Sequence, residues 1–321
     1  MDISVIISTY NRSEFLGRAI SSILAQEPDT PPFELIVVDN NSTDDTQQIV
    51  DSFLAKDARV RYIFEKRQGL SYGRNAGLSA AEGQFIIYTD DDVVVTPNWV
   101  RKFHEAFLRY PDASFLGGKV LPIWEVEPEP WLDALAPPLA LQDIGNELVK
   151  VTFDHQRCLI GACLGIRRTT FEKAGLFDPA TQRVGDSIGS TEDYDWELNV
   201  WEKGGYGLYV PDIVCAAEVT AQRMTKSYHR RWHLGHGKYN AISRRTEYEG
   251  GKFRLLDVPA FVYRQFFQSL LRSTISRLRG NGKDAFYHET FVLFYFGFIR
   301  QRWQTMLSAR RDRNAVAPRT T

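Results

Sequence analysis

Cysteine is scarce, and the three present follow no pairing pattern. Cys158, Cys163 and Cys215 form no CxxC motif and leave an odd number. The N-terminus shows neither a basic n-region nor an apolar h-region, and together these features imply a reduced, cytoplasmic setting. Long apolar runs are missing too: "FVLFYFGFI" at 291–299 is the longest, about half of the roughly 20 residues that a membrane-spanning helix needs. The first β-branched run leads into "TYNRSEF" rather than GxGxxG, and GxxxxGK[ST] is absent. A dinucleotide-binding Rossmann enzyme and a P-loop NTPase therefore both lose their main support. Internal repeats and low-complexity segments are also lacking.

What remains is an ordinary globular composition, 43% hydrophobic and 25% charged, in a chain long enough for one large domain or two smaller ones. The net charge of −1 conceals an uneven distribution: 20 of the 39 basic residues but only 6 of the 40 acidic ones lie in 223–321. The cationic part either meets something anionic, such as a lipid headgroup or a phosphate, or complements the acidic part of its own chain.

Near the N-terminus strand-like runs alternate with helix-like stretches. "ISVIIS" (3–8), "FELIVVD" (33–39), "RVRYIF" (59–64) and "QFIIYT" (84–89) are separated by amphipathic segments. This order predicts an α/β domain whose parallel sheet is covered by helices on both faces. Further helices are expected near 168–174, 192–203, 226–248, 257–279 and 284–308, with short strands around 206–220. The Pro- and Glu-rich stretch 125–140 reads as a long connection folding over a site.

Ligands of such sheets sit beyond the carboxyl ends of the strands, where Asp39 and the run Asp90, Asp91, Asp92 fall. In an extended chain Asp90 and Asp92 face one way and Asp91 the other. Two carboxylates on one face repel unless a cation or proton lies between them. Magnesium and manganese prefer oxygen ligands and are commonly held by one or two carboxylates plus substrate phosphates. The plainer reading, that the run caps the next helix, is answered by Thr96 followed by Pro97, a helix start in its own right. Ser42 and Asp45 have S-x-x-D spacing, so Asp44 and Asp45 read as capping residues.

"SVIISTYNR" (4–12), "ELIVVDNNSTDDT" (34–46), "GLSYGRNAGLSAAEGQFIIYTDDD" (69–92) and "STEDYDWELNVWEKGG" (190–205) together resemble the family 2 glycosyltransferases of the GT-A fold, over roughly residues 3–240. The resemblance implies inverting transfer of a sugar from a nucleotide-diphosphate donor, a UDP-sugar being favoured, to a hydroxyl of a glycan or lipid-linked acceptor. It also implies a bound divalent cation, manganese or magnesium. Thr9, Tyr10 and Asp39 match nucleotide-contacting positions, Arg74 lies near the nucleotide, Asp90 and Asp92 match the DxD metal pair, and Asp91 reaches donor sugar or backbone. Asp193 matches the expected general base, with Glu192 in support, and "GACLG" (161–165) offers a backbone that approaches a sugar closely or forms a tight turn. The implied organisation is a GT-A-like catalytic domain over 1–222, nucleotide-binding to about 95 and acceptor-binding beyond, followed by a helical extension over 223–321.

The match weakens after residue 217. Glu218 or Ala217 stands where many relatives carry a histidine, while His229, His233 and His236 lie on the helix expected over 226–248, either solvated or near the diphosphate. "YHRRW" replaces the QxxRW of processive synthases, which favours single-sugar addition. The C-terminal helices interleave aromatic residues with Arg264, Arg272, Arg277 and Arg279; they fit either a self-packed hairpin or the interface of a membrane, where a lipid-linked acceptor is found. No nucleic-acid-binding motif accompanies them. Two competing functions are a catalytically silent nucleotide-sugar-binding or membrane scaffold protein and a sugar nucleotidyltransferase. The second expects a Gly-rich loop after the first strand that "STYNRSEF" does not supply.

Overall fold

The computed structural model describes residues 2–133, 137–185, 187–243, 247–250 and 253–316, in two compact units, 1–186 with 192–224 and 187–191 with 225–321.

The first unit opens with the expected alternation: β1 (Ile3–Thr9), α1 (Ser13–Leu24), β2 (Phe33–Asp39), α2 (Thr46–Leu54), β3 (Val60–Phe64), α3 (Leu70–Ala80) and β4 (Phe85–Thr89). It continues with β5 (Val93–Val95), α4 (Trp99–Arg109), β6 (Phe115–Trp124), β7 (Val149–Val151), β8 (Leu164–Arg167), α5 (Arg168–Ala174), α6 (Glu192–Glu202) and β9 (Gly207–Val219). The sheet runs β3-β2-β1-β4-β8-β6-β9-β5, with β7 also on β9. β1 to β4 are mutually parallel, but β8 is antiparallel to both β4 and β6, and β5 to β9. The parallel arrangement predicted for the N-terminal strands thus becomes a mixed sheet in the second half. The short strands expected around 206–220 are one strand of 13 residues.

Side-chain alternation explains why β1, β2 and β4 carry apolar residues on both faces, with the buried Ser4 and Glu34 paired to each other at 2.6 Å. Val5, Ile7, Leu35, Val37 and Ile87 point to one side and pack with Leu16, Ile20, Val50 and Phe103 from α1, α2 and α4. Ile6, Ile36, Val38, Ile86 and Tyr88 point to the other, against Leu78, Phe171 and Trp196 from α3, α5 and α6. A strand covered on both faces keeps few polar positions, and those it keeps are hydrogen-bonded. Truncating Trp196, which is fully buried, to alanine would cost about 3–5 kcal/mol.

Two hydroxyls expected at helix starts, those of Thr96 and Ser42, are engaged elsewhere, while Asp44 caps as expected. Thr96 Oγ1 lies 3.0 Å from Asn98 Oδ1 and 3.0 Å from Val214 O, and α4 begins only at Trp99; the hydroxyl is taken by β9 rather than by a helix end. Asp44 serves two helix starts: its Oδ1 accepts from Thr46 N of α2 at 3.1 Å and its Oδ2 from Ser13 N of α1 at 3.0 Å. Ser42 Oγ instead accepts from Asn11 N at 3.0 Å, joining the loops after β1 and β2.

The second unit contains α7 (Lys226–Ser243), β10 (Arg254–Leu255), β11 (Val258–Pro259), α8 (Ala260–Leu278) and α9 (Gly282–Val316). The helix expected over 226–248 ends at Ser243, and residues 244–246 lie outside the described ones. Ala241, Val258, Val262, Phe294 and Phe298 form its own core. A Cβ on Gly237 would strike Phe294 O, and one on Gly297 would strike Leu234 O; glycine lets α7 and α9 approach backbone to backbone. The solvated reading of the histidines fails. His229 is buried, and His236 stacks on Trp232 at 4.5 Å with Nδ1 3.0 Å from Gly189 O. Burial pushes His233 down to about 3 and His236 to about 4. No described helix is long and apolar enough to cross a membrane.

Candidate functional site

Sheet register brings the carboxyl ends of three strands together. Thr9 pairs with Asp39 and Ile7 with Thr89, so the residues after Thr89 lie level with Thr9. Thr9 Oγ1 duly donates to Asp91 Oδ2 at 2.7 Å. The chain turns at Asp91 and Asp92 instead of staying extended, so the alternation expected for Asp90 to Asp92 does not apply. Asp91 and Asp92 are both buried and face one guanidinium: Arg12 Nε is 3.2 Å from Asp91 Oδ1 and Nη2 is 2.7 Å from Asp92 Oδ2. Arg223 adds a contact of 3.4 Å to Asp92 Oδ2.

Asp90 is different. It is half-buried, and among the described residues its carboxylate has no hydrogen-bond or ion-pair partner. Burial first, then the charge of Asp92, pushes its carboxyl above the usual range. Burial likewise raises Asp91 to about 6, Arg12 opposing.

A divalent cation fits here. The donors are carboxylate oxygens, Asp90 lacks a partner, and Asp92 Oδ1 accepts nothing among the described residues. Two carboxylates leave the remaining coordination to water and phosphate oxygens, as magnesium and manganese prefer. No group of three or more His, Cys, Asp or Glu that could hold a metal occurs among the described residues, so protein ligands alone would not complete the shell.

Around this pair stand the other sequence-predicted residues. Asp39 is buried, with Oδ1 accepting from Ser42 N and Oδ2 from Tyr62 Oη, each at 2.8 Å; one lone pair per oxygen remains for a ligand. Tyr10 is half-buried at the end of β1. Pro138 and Leu139, in the connection 125–140, are tied to Arg223 through their carbonyls; residues 134–136 of that connection lie outside the described ones.

Arg74, expected near the nucleotide, is directed at α6. It is 4% exposed, and its Nη1 pairs with Asp193 Oδ1 and, at 3.4 Å, with Glu192 Oε1. Its charge still lowers the Asp90 carboxyl, and that of Asp193 raises it. Asp193 Oδ2 accepts from Gly161 N at 3.0 Å, so both oxygens of the predicted base are fixed. A Cβ on Gly161 would land on the Arg74 guanidinium. "GACLG" therefore holds Asp193 through its backbone, where the sequence suggested close approach to a sugar.

Three participants were missed. Arg12 lies in "TYNRSEF" and is the basic residue of the first loop; Arg223 opens R-x-T-x-x-Y. Glu197 stands one turn after Asp193 on α6, 0% exposed, and its Oε1 accepts from Leu159 N at 2.9 Å. The signal was an acid four residues from Asp193 among Trp196, Leu198, Val200 and Trp201, all buried. Burial raises Glu197 and the adjacent Cys158 thiol well above their usual ranges.

The family model described as "Glycosyl transferase family 2" matches residues 4–175, more than half of the chain. A glucosyl-dolichyl phosphate glucuronosyltransferase of Haloferax volcanii is 27% identical over 214 residues, 64% of this chain and 65% of that protein. A GalNAc(5)-diNAcBac-PP-undecaprenol beta-1,3-glucosyltransferase of Campylobacter jejuni is 40% identical over 92 residues, 28% of this chain and 29% of that one. The chain thus matches less than two thirds of the length of either relative. Among solved structures, a Pyrobaculum calidifontis mannosyltransferase with GDP-Man and Mn2+ superposes with TM-score 0.57 at 16% identity, over 98% of this chain and 76% of that one. Staphylococcus aureus TarS residues 1–349 with UDP gives 0.54 at 18% identity, over 97% and 92%. These two likenesses show a shared fold.

Proposed function

Since the chain belongs to glycosyl transferase family 2 and has the GT-A fold, we propose that it is a cation-dependent enzyme. It moves a sugar from a nucleotide-diphosphate donor, a UDP-sugar being favoured, to an acceptor hydroxyl with inversion. One observation carries this reading: among the described residues Asp90 is a carboxylate without a hydrogen-bond or ion-pair partner, next to Asp92 at the end of β4, while both oxygens of Asp193 are fixed by Arg74 and Gly161 N.

In this reading Thr9, Tyr10 and Asp39 line the nucleotide, Asp91 shapes the turn, and Asp90 with Asp92 holds manganese or magnesium. The bound cation would supply positive charge to the diphosphate as it departs. Asp193 takes the proton of the acceptor hydroxyl while that oxygen bonds to the anomeric carbon. The carbon–oxygen bond to the diphosphate breaks, and its electron pair leaves with the nucleotide. Arg74 and Gly161 N set the direction in which Asp193 presents its remaining lone pairs, and Glu192 steadies Arg74. Catalysis belongs to residues 1–222, with the nucleotide half to about 95 and the acceptor half beyond.

The relatives named for dolichyl phosphate and undecaprenol support a lipid-linked or polysaccharide acceptor, in cell-surface glycan synthesis on the cytoplasmic face of a membrane. The test offers the purified protein a panel of UDP- and GDP-sugars with a glycolipid acceptor, in manganese, magnesium or chelator, and follows nucleotide release. Release from a restricted set of donors, abolished by chelator, is expected. Turnover that persists in chelator, or none with any donor, would overturn the proposal.

A further inference from the structure

Helix α8 buries one side and leaves the other uncovered. Val262, Ser269 and Ser273 point inward, and Ser273 Oγ donates to Ala285 O of α9 at 2.8 Å. On the outer side Phe267 is 62% exposed, Leu271 61% and Leu278 84%, with Ile275 exposed between them. At 100° per residue these four fall within a stripe about 80° wide. Such a stripe on a soluble helix ordinarily faces a core, so among the described residues this one lacks its partner.

The charges around the stripe indicate what that partner is. Arg264, Arg272 and Arg279 are exposed along the stripe and one of its edges, and they make no ion pair among the described residues. Arg277, on the far side, is answered by Glu289 at 3.0 Å. No Asp or Glu occurs anywhere in "AFVYRQFFQSLLRSTISRL". A second copy pairing through α8 would set these arginines against their own kind with no carboxylate on the helix to answer them. Nucleic acid would answer the arginines and leave the apolar stripe in water. A surface that is anionic in its outer layer and apolar just beneath answers both.

We propose that the outer face of α8 docks on an anionic lipid bilayer, with the helix axis parallel to the membrane plane. Phe267, Leu271, Ile275 and Leu278 enter the boundary between headgroups and acyl chains, and Arg264, Arg272 and Arg279 meet the lipid phosphates. Tyr263 stands one turn before Phe267 on the same side, and its Oη accepts the indole N–H of exposed Trp303 at 3.0 Å. Amphipathic rings of this kind favour the headgroup layer. The inference deepens the membrane-surface location proposed above, and its grounds lie in α8 and the neighbouring Trp303, apart from the catalytic residues.

The experiment is flotation of the full-length protein with vesicles of phosphatidylcholine, with and without phosphatidylglycerol. Binding is expected only with phosphatidylglycerol and should weaken as salt rises. The triple variant Arg264→Gln/Arg272→Gln/Arg279→Gln is expected to lose on the order of a hundredfold in partitioning, at roughly fivefold per arginine. Leu271→Glu/Leu278→Glu is expected to abolish flotation. Both variants must keep wild-type helicity and nucleotide release with a soluble acceptor analogue. Absence of flotation on anionic vesicles, or flotation that survives the double glutamate variant, would overturn the inference. So would concentration-dependent dimerisation that the double variant abolishes while vesicle binding persists. Nucleotide release without flotation refutes the docking face and spares the transferase reading; flotation without release does the reverse.

Discussion

The turn at Asp90–Asp92 and the first turns of α6 both concentrate acidic side chains, and they handle them in opposite ways. At the turn, Asp91 and Asp92 share Arg12, Arg223 adds to Asp92, and Asp90 is left over. On α6, Glu192 and Asp193 share Arg74, while Asp193 and Glu197 also accept the backbone amides of Gly161 and Leu159. A carboxylate left over beside a like charge suits a cation that arrives with its ligand. One held at both oxygens suits a proton acceptor whose position must not vary. The contrast assigns donor chemistry to the turn and acceptor chemistry to the helix.

Variants should separate the two regions. Asp193→Asn, expected to have the largest effect, should lower turnover about 10²–10⁴-fold while nucleoside-diphosphate binding by calorimetry stays unchanged; parallel loss of binding would blur the contrast. Arg12→Gln removes the cation shared by two buried carboxylates, leaving Asp92 to Arg223 and Asp91 to Thr9. Breaking a buried pair costs about 3–5 kcal/mol, and because Arg12 is partly exposed about 2 kcal/mol is expected by chemical denaturation. Added manganese should restore more stability to this variant than to the wild type, whereas Arg74→Gln should gain no such rescue. Gly161→Ala should cost about 1–3 kcal/mol through its clash with Arg74, with kcat reduced and the KM for donor unchanged.

Glu197→Gln should have the smallest effect, visible only against pH. The folded-state pKa of Glu197 is raised, so its contribution is full below the ordinary carboxylate range and is lost as pH rises through the folded value. The glutamine variant keeps the shape without the proton, so its stability relative to wild type should grow as pH rises from about 4.3. Parallel stability curves across that range would show that Glu197 is already ionised in the fold.

Much of the first unit was legible because β1, β2 and β4 are covered on both faces and so read as predominantly apolar runs. β6 was hidden: "FLGGKVLPIW" carries two glycines and a proline, which as sequence signal turns; the glycines sit at a register shift between Gly117 and Lys119, and Pro122 keeps register opposite Ala217. β8 is only four residues long. The capping errors share one cause. Thr96 and Ser42 have the right spacing, but partners from β9 and the β1 loop compete for their hydroxyls, and sequence spacing does not record such partners. The acidic residues of the site could be found individually. That Arg74 belongs to Asp193, 119 positions away, and that Asp90 alone among the three aspartates lacks a partner among the described residues, follow only from the fold.

The most direct test of this division of labour is manganese-dependent binding of a nucleoside diphosphate, measured by titration calorimetry in wild type, Asp90→Asn and Asp193→Asn. The account predicts that Asp193→Asn binds like wild type and that Asp90→Asn loses the manganese-dependent part. Equal loss in both variants, or retention in Asp90→Asn, would contradict it.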